Sequence, residues 1–232
     1  MYRKKKISII LPCYNEEKNI QNCIKNFNQL NIVDEIIVVD NNSTDKTFDE
    51  IKKTNAKYIK EETQGYGIAI RSGMMASTGD LIILCEPDGT FLERDLYKFL
   101  QYSEDFQCVF GTRTAKSAIR YRAKMQLYLR YGNIVVAKLL SYLFRGPTLT
   151  DVGCTYKLIS RDAYEEIKSK LTVIGSELQP ELMINIIKSN FSVIEIPVNY
   201  LERKGKSKIT YNFTSSLILA IKMVILIFKL RF

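Results

Sequence analysis

Runs of consecutive apolar residues and stretches with helical spacing take turns along the first half of the chain. The segments Lys6–Leu11, Glu35–Asp40, Tyr58–Lys60, Leu81–Cys85 and Cys108–Thr112 read as short strands buried on both faces. Between them, Glu16–Leu30, Thr44–Lys53, Tyr66–Ala76 and Glu93–Tyr102 read as helices. Repeated β-α-β order predicts an α/β fold, a mostly parallel sheet flanked by helices on both faces. Ligands of such sheets sit outside the carboxyl ends of the strands. Three polar segments, "PCYNEE", "DNNSTD" and "EPDGT", each follow a strand's last apolar residue. All three are expected on one cleft.

After Thr112 the pattern changes. Tyr121–Phe144 is a long amphipathic stretch in which Arg122, Lys124, Arg130 and Lys138 are scattered among Leu, Val and Tyr. Residues 151–160 read as a strand, 161–190 as two helices and Ser192–Tyr200 as a further strand, followed by the basic loop "ERKGKSKIT". Phe213–Phe232 closes the chain as a strongly apolar helix, so the expected organisation is one domain over 1–212 and a membrane-associated helix over 213–232. In that helix Ser215, Lys222 and Lys229 are seven apart and share one line. One-sided lysines and a short uninterrupted apolar run favour a helix lying in the membrane interface over one spanning it. A core-facing or oligomer-facing helix is the alternative, and for Tyr121–Phe144 a core role weighs as much as an interfacial one.

The chain has 232 residues, 46% of them hydrophobic, enough for a substantial core. Its net charge of +9, from 34 basic and 25 acidic residues, favours anionic partners: nucleotide phosphates, nucleic acid or an acidic membrane face. Nucleic acid is disfavoured, because the basic residues are dispersed and no aromatic stacking platform accompanies them. Cys13, Cys23, Cys85, Cys108 and Cys154 are odd in number and form no CxxC, as in a reduced intracellular protein. The opening "MYRKKKISIILP" places basic residues before an apolar run that Pro12 ends too early for a secretory signal. There is no histidine, which excludes Ser-His-Asp and Cys-His catalysis and histidine-bound metals. A general base would have to be a carboxylate.

Each polar segment carries candidate chemistry beside a plainer reading. In "IIVVDNNSTDKT", Asp40 ends a strand and can accept from a ribose or base while the next helix, capped by Ser43 or Thr44, faces phosphate; a capped turn alone also fits. "LPCYNEEKNI" repeats the plan, with Glu16 and Glu17 in a first helical turn. In "CEPDGT", Glu86 and Asp88 at a strand's end can hold Mg²⁺ or Mn²⁺ through oxygen, with diphosphate oxygens completing the shell. Pro-Asp-Gly is equally a β-turn signature.

The ordered set "ISIILPCYNEE", "IIVVDNNSTDKT", "GYGIAIRSGMMASTGDLIILCEPDGTF" and "GTRT" resembles family-2 inverting glycosyltransferases of the GT-A (Rossmann-like) fold. "DVGCTYKLISR", "EIPVNYLERKGKSKIT" and the apolar tail resemble the polyprenyl-phosphate branch, that of dolichol-phosphate mannose synthase. The resemblance implies nucleotide binding by Pro12, Tyr14, Glu16, Asp40, Asn42 and Asp45, and a metal held by Glu86, Asp88 and Thr90. Glutamate replaces the family's first metal-motif aspartate, Thr90 its usual glutamine, and Asn41 the second of an Asp-Asp pair. It implies acceptor-phosphate handling by Arg113, Arg130, Arg203, Ser207 and Lys208, with Asp88, Arg113 and Arg203 as the catalytic set.

The expected reaction moves a sugar from a UDP-, GDP- or dTDP-sugar, UDP being favoured, to a polyprenyl phosphate at the cytoplasmic face of a membrane. A phosphate acceptor, with a second pKa of about 6, needs cations rather than a base. The alternatives are a saccharide-hydroxyl acceptor, for which Asp151 and Glu177 are candidate bases, and a decayed nucleotide-binding module.

Overall fold

The computed structural model describes residues 1–115, 119, 123, 125–204 and 212–232. The elements follow in the order β1 (Ile7–Cys13), α1 (Ile20–Gln29), β2 (Glu35–Asp40), α2 (Thr47–Lys52), β3 (Lys57–Lys60), α3 (Tyr66–Ala76), β4 (Leu81–Leu84), α4 (Leu96–Tyr102) and β5 (Cys108–Thr112). The second half adds α5 (Leu127–Phe144), β6 (Lys157–Ser160), α6 (Arg161–Ile167), α7 (Leu178–Lys188), β7 (Val193–Pro197) and α8 (Phe213–Arg231). The strands form one seven-stranded sheet in the order β3-β2-β1-β4-β6-β5-β7. β6 is antiparallel to both neighbours, whereas β1, β2, β3 and β4, and β5 with β7, pair in parallel. This is the mostly parallel, helix-flanked α/β sheet that the sequence pattern predicts.

Strand side chains alternate between two cores. Ile7, Ile9 and Leu11 of β1 join Ile24 and Phe27 of α1 and Phe99 of α4 on one face. Ile10 points the other way, among residues of α3, α5, α6, α7 and α8. All five cysteines are free and buried, in keeping with use as small apolar filling.

Several boundaries differ from the sequence reading, for identifiable reasons. α1 starts at Ile20 rather than Glu16, and α2 at Thr47 rather than Thr44, because the two preceding turns are stitched to each other. Asn15, Glu16 and Glu17 donate backbone N–H groups to Ser43, Thr47 and Asp45 at 2.9, 2.8 and 3.2 Å. Thr44 and Lys46 return bonds to Asn15 and Glu17 at 2.7 and 3.1 Å. Neither Ser43 nor Thr44 caps α2, whose N-cap position is Lys46. The expected strand over 151–160 is only Lys157–Ser160, and that over Ser192–Tyr200 only Val193–Pro197. In the amphipathic 121–144 stretch the helix begins at Leu127, with 121, 122 and 124 outside the described residues.

α3 lies directly on the sheet because Gly73 faces it: a Cβ there would stand 2.3 Å from Ile10 Cγ2 and 3.0 Å from Val39 Cγ2. Gly73→Ala should therefore lower stability by about 1–2 kcal/mol, an overpacking cost of up to about 3 kcal/mol outweighing the roughly 1 kcal/mol gain in helix propensity. Urea unfolding checks this; an unchanged or raised midpoint would contradict the close packing.

Candidate active site

The carboxyl ends of β1, β2, β4 and β5 lie along one edge, and the polar segments that follow them gather there. After β4, Pro87 stiffens the chain and Gly89, at φ +79°, turns it in the left-handed region that favours glycine. The turn brings Thr90 back, so that its N–H and hydroxyl donate to Asp88 Oδ1 at 2.9 and 2.5 Å. Thr90 thus orients Asp88. Asp88 is buried, and its Oδ2 sits 2.7 Å from Arg203 Nη2. The contact is an ion pair, and Oδ2 receives no hydrogen bond from the described residues. Glu86 Oε2 lies 3.4 Å from the same Arg203 nitrogen. The two acids therefore converge on one point.

That convergence has an electrostatic consequence. Burial, and then the neighbouring Asp88, push the Glu86 carboxyl up to about 7, against the opposing pull of Arg203. The pair lacks enough positive charge. An all-oxygen donor set with one oxygen unsatisfied fits a hard divalent cation such as Mg²⁺ or Mn²⁺. No third His, Cys, Asp or Glu joins the two among the described residues, so further ligands would come from substrate oxygens and water.

Arg113 follows β5 and is held bidentately by buried Asp151, Nε to Oδ2 at 2.9 Å and Nη2 to Oδ1 at 2.9 Å, with its backbone N–H on Oδ2 at 2.9 Å. Against the pull of burial, this pairing keeps the Asp151 carboxyl below its usual value and the guanidinium charged. Its guanidinium carbon lies 5.6 Å from the ring centre of Tyr200. Asp151 is thus an anchor for Arg113. Glu177 lies 3.7 Å from Lys222 of α8.

One cavity of about 1020 Å³ collects most of these groups. Pro12, Cys13, Tyr14, Glu16 and Asn41 line it, as do Glu86, Pro87, Asp88, Arg113, Tyr200 and Arg203. Apolar residues of α5 (Leu129, Val136) and α8 (Leu217, Ala220, Met223) line it as well. Asp40, Asn42, Asp45, Thr90 and Arg130 do not line it. Asp40 Oδ1 accepts from Ser43 N–H at 3.0 Å, and Asn42 donates to the Glu62 carbonyl at 2.6 Å. Asp45 accepts from the Thr47 backbone at 2.9 Å, and Arg130 donates to the Thr114 carbonyl at 2.8 Å. Ser207 and Lys208 lie outside the described residues. The cavity also exposes Tyr66, Thr155 and Gln179, which the sequence reading passed over. Tyr66 and Gln179 are polar residues on otherwise apolar helices, whereas Thr155 lies in the loop before β6.

The raised Glu86 carboxyl makes a pH-dependent prediction. Between pH 4.5 and about 7 the folded protein keeps a proton that the unfolded chain has lost, so metal-free stability falls as pH rises through that window. Glu86→Gln removes that fall. Its melting temperature relative to wild type should be higher at pH 8 than at pH 4.5, and Mn²⁺ should raise the wild-type melting temperature but not the variant's. An offset independent of pH in thermal-shift measurements would refute the assignment.

The model of glycosyl transferase family 2 matches residues 8–168. A dolichyl-phosphate hexose transferase of Haloferax volcanii is 28% identical over 204 residues, covering 88% of this chain and 86% of its own. A low-salt glycan biosynthesis hexosyltransferase of the same organism is 27% identical over 88% of this chain, which spans only 49% of that relative. Among solved structures, glucosyl-3-phosphoglycerate synthase of Mycobacterium tuberculosis, in complex with Mn²⁺, UDP and phosphoglyceric acid, superposes with a TM-score of 0.74 at 19% identity, over 98% of this chain and 78% of its own. The same synthase has also been solved with Mg²⁺ and UDP. The latter likeness establishes the fold, GT-A. With its two-carboxylate cleft at the strand ends, the chain belongs to glycosyl transferase family 2, as a nucleotide-sugar-dependent glycosyltransferase.

Proposed function

We propose that the protein transfers a sugar, with inversion, from a nucleotide sugar to a polyprenyl phosphate at the cytoplasmic face of a membrane. The observation that carries this reading is that one cavity is lined together by Tyr14 and Glu16, by Glu86, Asp88, Arg113 and Arg203, and by apolar residues of α5 and α8. A phosphate with a hydrocarbon tail matches such a set of surfaces. UDP is the favoured donor nucleotide, and UDP bound to the structural neighbour supports it.

In this reading Pro12, Tyr14 and Glu16 cradle the nucleotide, with Asp40, Asn42 and Asp45 shaping the turns behind them. Glu86 and Asp88 would hold Mg²⁺ or Mn²⁺, which when bound neutralises charge growing on the departing diphosphate. Arg113, fixed by Asp151, and Arg203 place the acceptor phosphate, together with the proposed Ser207 and Lys208 of the basic loop; Arg130 is a further candidate. A phosphate acceptor is already ionised at neutral pH and needs no base. A saccharide hydroxyl would need one, yet Asp151 is committed to Arg113 and Glu177 stands beside Lys222.

The segment 213–232 is proposed as the membrane-associated part. α8 buries Ser216, Met223 and Ile227 against the domain and leaves Ile218, Ile221, Ile225 and Phe228 exposed at helical spacing. It is long and apolar enough to cross a membrane by length and composition. Lys222 beside Glu177 and a Lys188 bond to the Leu230 carbonyl at 3.1 Å hold it along the domain, which supports a helix lying in the interface. α5 adds exposed Leu127, Tyr131, Val135 and Tyr142 beside it.

Incubation with labelled nucleotide sugars, Mn²⁺ and undecaprenyl or dolichyl phosphate should give an organic-phase product; none with any donor would sink the proposal. Asp88→Asn should reduce transfer by about 100-fold or more, whereas Glu86→Asp should retain it. Arg203→Ala should raise the acceptor KM more than the donor KM. Replacing Ile221 and Ile225 by glutamate should release the protein from anionic liposomes at unchanged melting temperature; undiminished flotation would exclude α8 as the contact.

A further inference from the structure

The cavity has a second set of polar lining groups besides the carboxylates, and it is built on a buried lysine. Because β6 runs antiparallel between β4 and β5, its first residue, Lys157, lies beside Leu84 and Phe110 at the sheet's carboxyl edge. Lys157 is fully buried, and burial lowers its ammonium to about 8, so it is still charged at neutral pH. It donates to the Cys154 carbonyl and, at 2.7 Å, to Gln179 Oε1.

An ammonium has donors only, so the Gln179 amide can meet it only through oxygen. The amide nitrogen is thereby fixed toward Tyr66 and donates to its hydroxyl at 3.1 Å. A hydroxyl that accepts there has its own proton to give, toward the neighbouring Thr155 hydroxyl or the cavity that Tyr66 lines. Thr155 lines it too and is only 7% exposed. Buried Thr155 and Gln179 and half-buried Tyr66 thus bring linked polar groups to the same space.

We infer that Tyr66, Thr155 and Gln179 form the surface that reads hydroxyls of the transferred sugar, with Lys157 as the positioning residue that sets the direction of the chain. This rests on the transferase reading above. One observation chooses the sugar over phosphate. That surface presents neutral hydroxyl and amide groups, the Lys157 charge being enclosed by Cys154 and Gln179, whereas the cations suited to phosphate are Arg113 and Arg203. Neutral donors paired with hydroxyls give strong discrimination, because an analogue lacking the hydroxyl leaves buried groups unpaired.

The test is calorimetry with Mn²⁺ on three probe pairs: UDP-glucose and UDP, GDP-mannose and GDP, dTDP-glucose and dTDP. Tyr66→Phe, Thr155→Val and Gln179→Glu should each weaken the bound nucleotide sugar by about tenfold, one hydrogen bond's worth, and leave its diphosphate within about twofold. Gln179→Glu keeps shape and gives Lys157 an ion pair, yet loses the donor to Tyr66 and draws the tyrosine proton back from the cavity. Y66F and Q179E disable one and the same donation, so the double variant should be no worse than the stronger single one. Lys157→Met, where it keeps the wild-type melting temperature, should show the same selective loss; sparing of sugar binding there would remove Lys157 from the chain. Equal losses for sugar and diphosphate, or additive losses in the double variant, would overturn the inference. Wild type that binds none of the probes would overturn the transferase reading and the inference with it, a result distinct from binding without selectivity.

Discussion

Two carboxylates and one guanidinium share a buried point at the end of β4, and the charges there do not balance. Asp88 is held by Thr90 and faced by Arg203, Glu86 faces the same nitrogen, and burial resists the second negative charge strongly enough to hold the Glu86 carboxyl near neutrality. An apolar strand would not end this way for stability, because an incompletely paired buried charge is costly. The arrangement makes sense when further positive charge arrives with a ligand.

The sheet is what makes this imbalance sustainable. Its central strands are buried on both faces, so their ends are positioned by packing rather than by the polar turns themselves. The turns after β1 and β2 then brace each other through backbone-to-side-chain bonds, leaving Tyr14 and Glu16 to line the cavity. Arg113 is braced independently by Asp151. Arg113 is therefore anchored apart from the two carboxylates, whereas Arg203 is paired with them until a ligand brings further charge.

The apolar end of the cavity comes from a different source. α5 and α8 each bury one face and leave a second apolar face exposed, so neither is a simple core helix. Their inner faces close the site, and their outer faces provide the surface proposed to meet lipid. In the proposed reading, such a division would let α8 connect a polar reaction centre with a bilayer.

Periodicity alone determined the mostly parallel sheet, the extents of α3, β2 and β5, and the placement of Glu86 and Asp88 at a strand's end, because those depend on local burial pattern. It failed at the starts of α1 and α2, where side chains 28 to 31 positions away take the backbone N–H groups that a helix reading leaves to the helix. Asp151 could be named as an acid but not as the partner of Arg113, since that bond joins residues 38 apart. Lys157, Gln179 and Tyr66 were illegible for the same reason: each sits in an apolar-looking element, and only the reversed direction of β6 brings the lysine to the functional edge. Local pattern encodes which residues are buried; which buried polar groups meet is decided by strand order and direction, and those belong to the whole chain.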